Sequence, residues 1–585
     1  MAKVKSKVSI GSVFKSIILP RKKMVLVGLV LIVISRAAGI VLPYESKRLL
    51  DEVVPESDLD GLYNILFMVV SALFIQAITG FSLTRLLSVE AQFLVSELRA
   101  KVQRKILSLP ISYFDNHKSG ELVSRIMTDV EGVRNIIGTG LVQLVGGTLT
   151  VFACLVMLIR INGKMTLFVL LPVAIFAIVV LKAFGYIRPI FKKRGVINAE
   201  VTGRLTETLN GVRVIKGFNA EDQENLMFQK GVDKLFQNVK KSLTATAIMI
   251  NSSTFLLGLA SAGIIGIGGY YMMENLGGGA TMTTGDFFSF MLFLGFLIAP
   301  LVQMSSIGTQ MTEAFAGLDR TEEIMNLAPE NNPEVRTDTL DKIEGNIEFK
   351  NVSFEYDKGK EVLHNINFSA PKGSVTALVG SSGSGKSTIA GLAASFLNPS
   401  SGLITVDGKD LSKINLSSYR KYLGVVLQDD FLFEGTIKEN IIFANPSASD
   451  SAIETAVKAS YVNEFTDRFD EGLETIIGER GVKLSGGQRQ RITIARAILA
   501  NPEVIFLDEA TSNLDTESES YIQKSLATLM EGRTTFVIAH RLSTIRKATQ
   551  ILVIEEGKIE ERGTHDDLID KKGRYYDLFT YQSRI

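Results

Sequence analysis

Three stretches of this chain combine residue types that handle phosphate. Gly380-Ser381-Ser382-Gly383-Ser384-Gly385-Lys386-Ser387-Thr388 follows the apolar run Ser374–Val379 and precedes a predicted helix. The pattern is G-x-x-x-x-G-K-[ST] in a strand–loop–helix context. Its glycines let backbone N–H groups wrap phosphates, Lys386 neutralises the β- and γ-phosphates, and Ser387 ligates Mg²⁺. The second stretch is Leu484-Ser485-Gly486-Gly487-Gln488. Its adjacent glycines expose backbone N–H groups. The breaker-free run Gln488–Leu499 reads as a helix, so Ser485, Gly486 and Gly487 sit at a helix N-terminus, where an anion is stabilised. The third is the apolar strand Val504–Leu507, which ends in Asp508-Glu509. Asp508 is placed to hold Mg²⁺, directly or through water. Glu509 points the other way along the strand and is placed to polarise an attacking water.

These elements need a scaffold, and the bulk numbers bound it. A chain of 585 residues is too long for one core and implies at least two domains. Hydrophobic residues make up 46% and mean hydropathy is +0.22, which points to membrane spans. A net charge of +1 gives no reason to expect nucleic acid as a partner. The single cysteine, Cys154, allows no intramolecular disulfide and reads as a small hydrophobe facing lipid or core. Trp is absent, so any interfacial belt relies on Tyr and Phe.

Met1–Lys23 carries seven basic residues and no acid, with Ile10, Val13, Phe14, Ile17 and Ile18 on one helical face. A short helix lying on the membrane surface is expected, rather than a cleaved signal peptide. Spans are predicted at Met24–Leu42, Leu62–Leu87, Leu141–Ile159, Met165–Ile187, Ala245–Met273 and Phe287–Val302. The lysine-rich flank places the start of the first span in the cytoplasm, and six spans return the chain there. Spans three and four are joined only by Arg160–Lys164, and spans five and six by a loop containing Gly277–Gly279. Val89–Gly140 and Arg188–Thr244 are long, polar and nearly free of breakers, so they predict helical arms. About 24 residues beyond each span, at 1.5 Å per residue, give both arms a reach of roughly 36 Å. Pro329 and Pro333 mark a linker before the cytoplasmic domain begins at Gly345.

Leu484–Gln488 resembles the signature motif of ATP-binding cassette proteins. The whole chain is similar to a bacterial ABC exporter half-transporter, and the resemblance covers nearly all of it. It implies a multidomain fold. An all-α six-helix transmembrane domain with long cytoplasmic helical extensions is fused to an α/β P-loop ATPase domain with a helical signature subdomain. The boundaries are 1–325 for the membrane domain, 326–344 for the linker and 345–585 for the nucleotide-binding domain. Phe114–Asp129 and Glu207–Phe218 resemble the family's two coupling regions, placed near 111–120 and 207–218. In the family these dock on nucleotide-binding domains, the second on the partner chain's.

Further matches follow in the family's order. Tyr356 resembles the aromatic that stacks on adenine. Gln428 resembles the Q-loop glutamine, which senses Mg²⁺ and faces the arms. Thr475–Gly481 resembles the exporter-type X-loop. Ala510–Asp515 resembles the D-loop, with Asn513 where Ala is more usual. His540 resembles the switch histidine that contacts the γ-phosphate. The implied site is therefore Glu509, His540, Lys386 and Gln428 for catalysis. Tyr356, the loop Gly380–Thr388, Gln428, Ser485–Gln488, Asp515 and His540 would hold ATP, and Ser387, Gln428 and Asp508 would hold Mg²⁺.

One chain carries one phosphate loop and one signature stretch. In the family, ATP lies between the loop of one domain and the signature of another, so the chain must pair. A homodimer is the default, and a heterodimer with a degenerate partner is the alternative. The expected activity is ATP-driven export or flipping of an apolar or amphipathic small molecule across a bacterial inner membrane, by alternating access, with both termini cytoplasmic. Membrane lipid and a small-molecule or lipid substrate are the other expected partners, with no nucleic acid. The six spans argue against a soluble ATPase acting on ribosomes or DNA. A nucleotide-gated channel on the same scaffold would differ by passive flux. An importer fits the fused order less well, and no peptidase domain precedes the spans to suggest a leader-cleaving peptide exporter. Arg36 lies within the first span, with Arg85 and Lys182 near span ends, and intramembrane charges are functional candidates. Arg36 could bind an anionic headgroup or pair with an acid. The sixth span has no basic residue, which weakens a lipid A flippase reading. Its Phe287, Phe288, Phe290, Phe293 and Phe296 favour an apolar or amphipathic substrate, unless they serve helix packing.

Overall fold

Long apolar stretches with few breakers fold as long helices in the computed structural model. It describes residues 21–117, 119–134, 138, 140–276, 282–356, 359–428, 430–478, 481–508, 515–539 and 542–583. Most of the expected surface helix, the Gly277–Gly279 turn, Asn513, Glu509 and His540 lie outside these residues. Two units result, one of Met1–Ile106 with Ser119–Leu327 and one of Leu107–Lys118 with Ala328–Ile585.

The first unit is helical. Its long elements are α1 (Lys22–Arg48), α2 (Leu59–Leu107), α3 (Leu141–Asn210), α4 (Glu221–Leu276) and α5 (Thr284–Met325). Among the described residues, four helical segments are long and apolar enough to cross a membrane, within Lys22–Glu56, Leu59–Leu107, Val142–Pro172 and Glu221–Met273. A shorter apolar helix, Thr284–Pro300, begins the sixth expected span. The predicted arms are helical: α2 continues 20 residues past Leu87, and α3 continues 23 past Ile187. The short connection Arg160–Lys164 is resolved into one residue. Asn162 is extended (φ −154°, ψ 105°), and its side-chain oxygen accepts the Met165 N–H at 3.0 Å, capping the helical segment that follows.

Helix ends in this unit are held by named polar contacts. Asp51 accepts the Gly285 N–H at 2.7 Å and the Thr283 hydroxyl, and Lys47 pairs with Asp286 at 2.7 Å. The start of α5 is thereby tied to the end of α1. The turn joining α3 to α4 is closed by Arg204, which grips Glu224 with two N–H groups. The buried Asp129 accepts two N–H groups of Arg320 at 2.7 and 2.5 Å. Glycine lets the backbones meet there. A Cβ on Gly317 would lie 2.5 Å from the Asp129 carbonyl oxygen, and one on Gly132 would lie 2.6 Å from the Ala314 Cα. Cys154 packs in the core with Leu158, Met165, Ile264, Phe290 and Phe293.

The second unit holds two sheets. In the first, β1 (Ile347–Glu355) lies between β2 (Glu361–Ala370) and β4 (Ser401–Val406), with β5 (Lys409–Asp410) beyond β4. Every pair in it is antiparallel. The second has the order β10-β9-β3-β8-β7-β6, from β3 (Val375–Val379), β6 (Leu423–Val426), β7 (Val504–Asp508), β8 (Thr534–Ile538), β9 (Gln550–Glu555) and β10 (Lys558–Gly563). All but β10 run parallel. The parallel strands read as continuous apolar runs because both faces are covered. Phe349 stacks on Phe368 at 4.5 Å within the first sheet and Phe506 on Phe536 at 5.4 Å within the second, and the edge-on contact of Phe368 with Phe536 at 6.2 Å joins the two sheets in one core. A separate helical core gathers Leu432, Ile437, Ile453, Ile477, Ile492 and Leu499.

Two stretches that flank the sheets are packed into this unit. From Ala328 on, the expected linker is packed: Leu340 and Ile343 are buried, and the buried Arg336 donates to the carbonyls of Leu411 and Ile414. Glu330 pairs with both N–H groups of Arg420 at 2.8 and 2.7 Å. Its own N–H donates to the Ser108 carbonyl at 2.7 Å, so the turn containing the short helix Ile111–Asp115 is joined to this unit.

The glycine contact in the first unit is testable. Gly317→Ala is expected to cost about 1–3 kcal/mol through forced separation of packed backbones. Gly203→Ala, where a Cβ meets nothing within 4 Å in mid-helix, should be neutral or stabilising by up to about 1 kcal/mol. Thermal unfolding of the detergent-solubilised variants checks this, and equal midpoints would refute it.

Candidate nucleotide-binding site

Five parallel strands present their C-terminal ends on one edge of the second sheet. Strand β3 is flanked by β9 and β8, so the chain order reverses there, and ligands bind at such switch points. The register places Leu378 of β3 and Asp508 of β7 level with Ile538 of β8. The phosphate loop leaves β3 at this edge and enters α6 (Lys386–Ala393).

The loop's backbone requires its glycines. Gly380, Gly383 and Gly385 have φ of 152°, 80° and 108°. A Cβ on Gly380 would lie 2.0 Å from the Ile554 carbonyl oxygen. Among the described residues, the N–H groups of Gly383, Gly385, Lys386, Ser387 and Thr388 donate to no protein acceptor. The Ser384 hydroxyl is buried and also lacks a partner. Lys386 is buried, and its ammonium donates to the carbonyls of Gly380 at 3.0 Å and Ser381 at 2.6 Å. Burial pushes its pKa below the ordinary lysine value, opposed by the charges of Glu555 and Asp508. This cradle of unpaired donors around a half-compensated cation can bind a phosphate chain.

The same edge contains a carboxylate that motif reading missed. Glu555, at the end of β9, accepts the Ser381 hydroxyl at 2.6 Å and the Ser381 N–H at 3.3 Å. Arg574 donates to it at 2.9 Å. Burial raises the Glu555 pKa, but these donors outweigh it and hold the group below the usual carboxylate range. An apolar strand ending in an acid, Leu552–Glu555, repeats the pattern that marked Leu507–Asp508 and could have flagged it.

The other expected site residues are placed as follows. Tyr356 is 59% exposed, packs edge-on against Phe354 at 4.8 Å, and its hydroxyl meets the Thr388 hydroxyl at 3.1 Å. Its ring is thus at the phosphate loop with a face available for stacking. Ser382 and Ser387 lie in the loop and the first turn of α6. Gln428 is exposed just after β6. Ser485 caps α7 (Gly486–Ala500): its hydroxyl accepts the Gln488 N–H at 3.3 Å, and the Gln488 side chain accepts the Ser485 N–H at 2.9 Å. The helix begins two residues before its predicted start because this reciprocal cap recruits both glycines. Asp515 caps α8 (Thr516–Met530) by accepting the Ser518 N–H at 2.9 Å, which holds its carboxylate below the ordinary range. Glu509 and His540 fall outside the described residues, although β7 and β8, which lead to them, end level. Among the described residues no hydrogen bond joins the phosphate loop to Ser485–Gln488.

Arg36 has no acid partner among the described residues, so the paired alternative is not realised there. It packs against Gly146, where a Cβ would lie 3.0 Å from the guanidinium. Of the sixth-span aromatics, Phe290 and Phe293 are buried in the helical core, while Phe288 and Phe296 remain exposed.

Comparison with known proteins agrees with this architecture. Residues 25–301 match the family model of the ABC transporter transmembrane region, and residues 363–512 match that of the ABC transporter. YgaD of Bacillus subtilis, named as a multidrug export ATP-binding/permease protein, is 38% identical over 83% of this chain and 83% of its own length. An ATP-dependent lipid A-core flippase of Thiobacillus denitrificans is 35% identical over 96% of this chain and 96% of its own. The solved structure of a bacterial Atm1-family ABC exporter with ATP bound matches with a TM-score of 0.84 and 26% identity, covering 96% of this chain and 98% of that one. With its membrane and ATP-binding regions fused in one polypeptide, the chain belongs to the ABC transporters and is an ATP-driven exporter whose ATPase is coupled to transport.

Proposed function

We propose that two copies of this chain export an apolar or amphipathic small molecule, or flip a lipid, across a bacterial inner membrane by alternating access, with both termini cytoplasmic. The observation that carries the pairing is the separation of two half-sites on one chain. Among the described residues the phosphate loop has unpaired donors and makes no hydrogen bond to Ser485–Gln488, which sits at a separate helix start. A two-fold pair supplies each loop with the partner's signature and creates two equal sites.

Within each site, the loop N–H groups and Lys386 hold the phosphates of ATP, and Tyr356 stacks on the base. Such stacking is sequence-tolerant, so ATP and GTP should both bind. Ser387, Asp508 and Gln428 offer hard oxygen donors from one sheet edge, a set that fits Mg²⁺, which takes few protein ligands beside phosphate. Bound there, Mg²⁺ would neutralise charge developing on the transferring phosphoryl group. Glu509 orients and deprotonates the attacking water, and His540 contacts the γ-phosphate. Binding of ATP closes the two cytoplasmic units on each other, and hydrolysis releases them. The turn at Ile111–Asp115, joined to the ATP-binding unit through Ser108, carries that closure to the spans. The substrate reading is supported by the exposed Phe288 and Phe296 and by relatives named for drug export and for lipid flipping.

Two experiments test these roles. Glu509→Gln keeps size and hydrogen bonding but loses the charge, so ATP should still bind while hydrolysis slows by about 10²–10⁴-fold. Paired spin labels on the two cytoplasmic units should then report a closed pair with ATP-Mg²⁺, whereas Lys386→Ala should leave them apart. Normal hydrolysis in Glu509→Gln, or failure to close, would show the assignment to be wrong. Separately, Tyr356→Ala should weaken both ATP and GTP with the fold intact, measured by fluorescent-nucleotide titration. An unchanged affinity would exclude stacking.

A further inference from the structure

A cavity of about 710 Å³ lies between α3 and α4, far along the chain from the nucleotide chemistry. Its polar side is made by Lys182 and Tyr186 on α3 and by Gln237, Lys240 and Lys241 on α4. These residues recur at three- and four-residue spacing, so each helix turns one face into the cavity. Its apolar side is made by Val179, Ile187, Ala245 and Ile248. None of the three lysines forms an ion pair among the described residues. Three unpaired ammonium groups in one cavity repel one another, and an anion is the group that removes that cost.

The depth of the cavity narrows the occupant. Lys182 lies about one turn inside the end of the expected span Met165–Ile187. Lys240 and Lys241 lie about one turn before the span Ala245–Met273. Ammonium groups on long stems reach the headgroup level from such positions while their stems stay in apolar surroundings. Tyr186 and Ile248 are 67% and 63% exposed, so both the polar and the apolar side are open to a ligand. We propose that this cavity binds an anionic phospholipid of the cytoplasm-facing leaflet. Its phosphodiester headgroup lies among Lys182, Lys240 and Lys241, and its acyl chain lies along Ile248 and Val179. This rests on the reading of α3 and α4 as membrane-crossing helices of an exporter, and it assigns a lipid site that ATP binding does not require.

The test uses the full-length protein in neutral detergent, titrated with phosphatidylglycerol, phosphatidylcholine or inorganic phosphate and read by native mass spectrometry. Phosphatidylglycerol should bind saturably, and more tightly than phosphatidylcholine. Juxtamembrane lysines strengthen binding to anionic lipid by about fivefold each, so the triple variant Lys182→Ala/Lys240→Ala/Lys241→Ala should lose on the order of a hundredfold. The triple Arg variant should retain binding. The single Lys240→Ala variant, with a loss of about fivefold, carries the test if the triple variant unfolds. Basal ATPase activity in lipid-free detergent should stay within about twofold, since no group of the nucleotide site is altered. Wild-type protein without ATPase activity would instead count against the exporter reading, whatever lipid it binds. The lipid site is overturned if the alanine variants bind phosphatidylglycerol as tightly as wild type, if phosphatidylcholine binds equally well, or if inorganic phosphate displaces the lipid at equal concentration. Protection of Lys182 from acylation by dimer formation alone, without lipid, would also overturn it.

Discussion

A buried ammonium governs the ATP-handling half of the molecule. Lys386 gives up most of its hydration and receives in exchange the carbonyls of Gly380 and Ser381. Two carbonyls do not replace a counterion, so the field of Glu555 and Asp508 supplies the balance until an anionic ligand arrives. Those carboxylates stand at the ends of β9 and β7. Their positions relative to β3 follow from the strand order and from the shared level of the strand ends. The Phe349–Phe368 and Phe506–Phe536 stacks belong to the core that the two sheets share. A phosphate-binding loop is thus a local motif that works only on a sheet holding the right charges beside it.

The helical half meets a different constraint. Apolar helices in lipid gain little from burial against one another, so close approach and polar ties decide how they pack. Gly317 and Gly132 allow backbone contact around Asp129, and Arg320 satisfies that buried carboxylate. Asp51 does the same for the start of α5. Cys154, Phe290 and Phe293 fill the interior of the bundle. The aromatic density of the sixth span therefore divides into residues that pack and residues left facing outward.

Much of this was legible in the chain itself. Breaker-free apolar runs located the long helices, and two polar runs located helical arms that end at Leu107 and Asn210. The phosphate loop, the strand before it and Asp508 were legible because each motif is contiguous and each strand is a short apolar run. The stretch 326–344 was less legible. Its prolines suggested a linker, and nothing in its own residues showed that Arg336 and Glu330 bind carbonyls and a guanidinium 75 to 90 residues away. Ser485 and Asp515, read by resemblance as signature and D-loop residues, each commit a side-chain oxygen to a helix cap in this structure.

The sequence by itself determined the family, the order of the membrane and ATP-binding regions and the glycine-rich loop that follows β3. These depend on short contiguous patterns whose chemistry follows from residue type and spacing. Only the tertiary structure decided that Glu555 braces Ser381 across 174 residues, and that three lysines from two distant helical segments share one cavity. Such pairings depend on strand order and helix rotation. Both are set by the packing of the whole unit, so a local pattern can mark Glu555 as a strand-end acid but cannot name its partner.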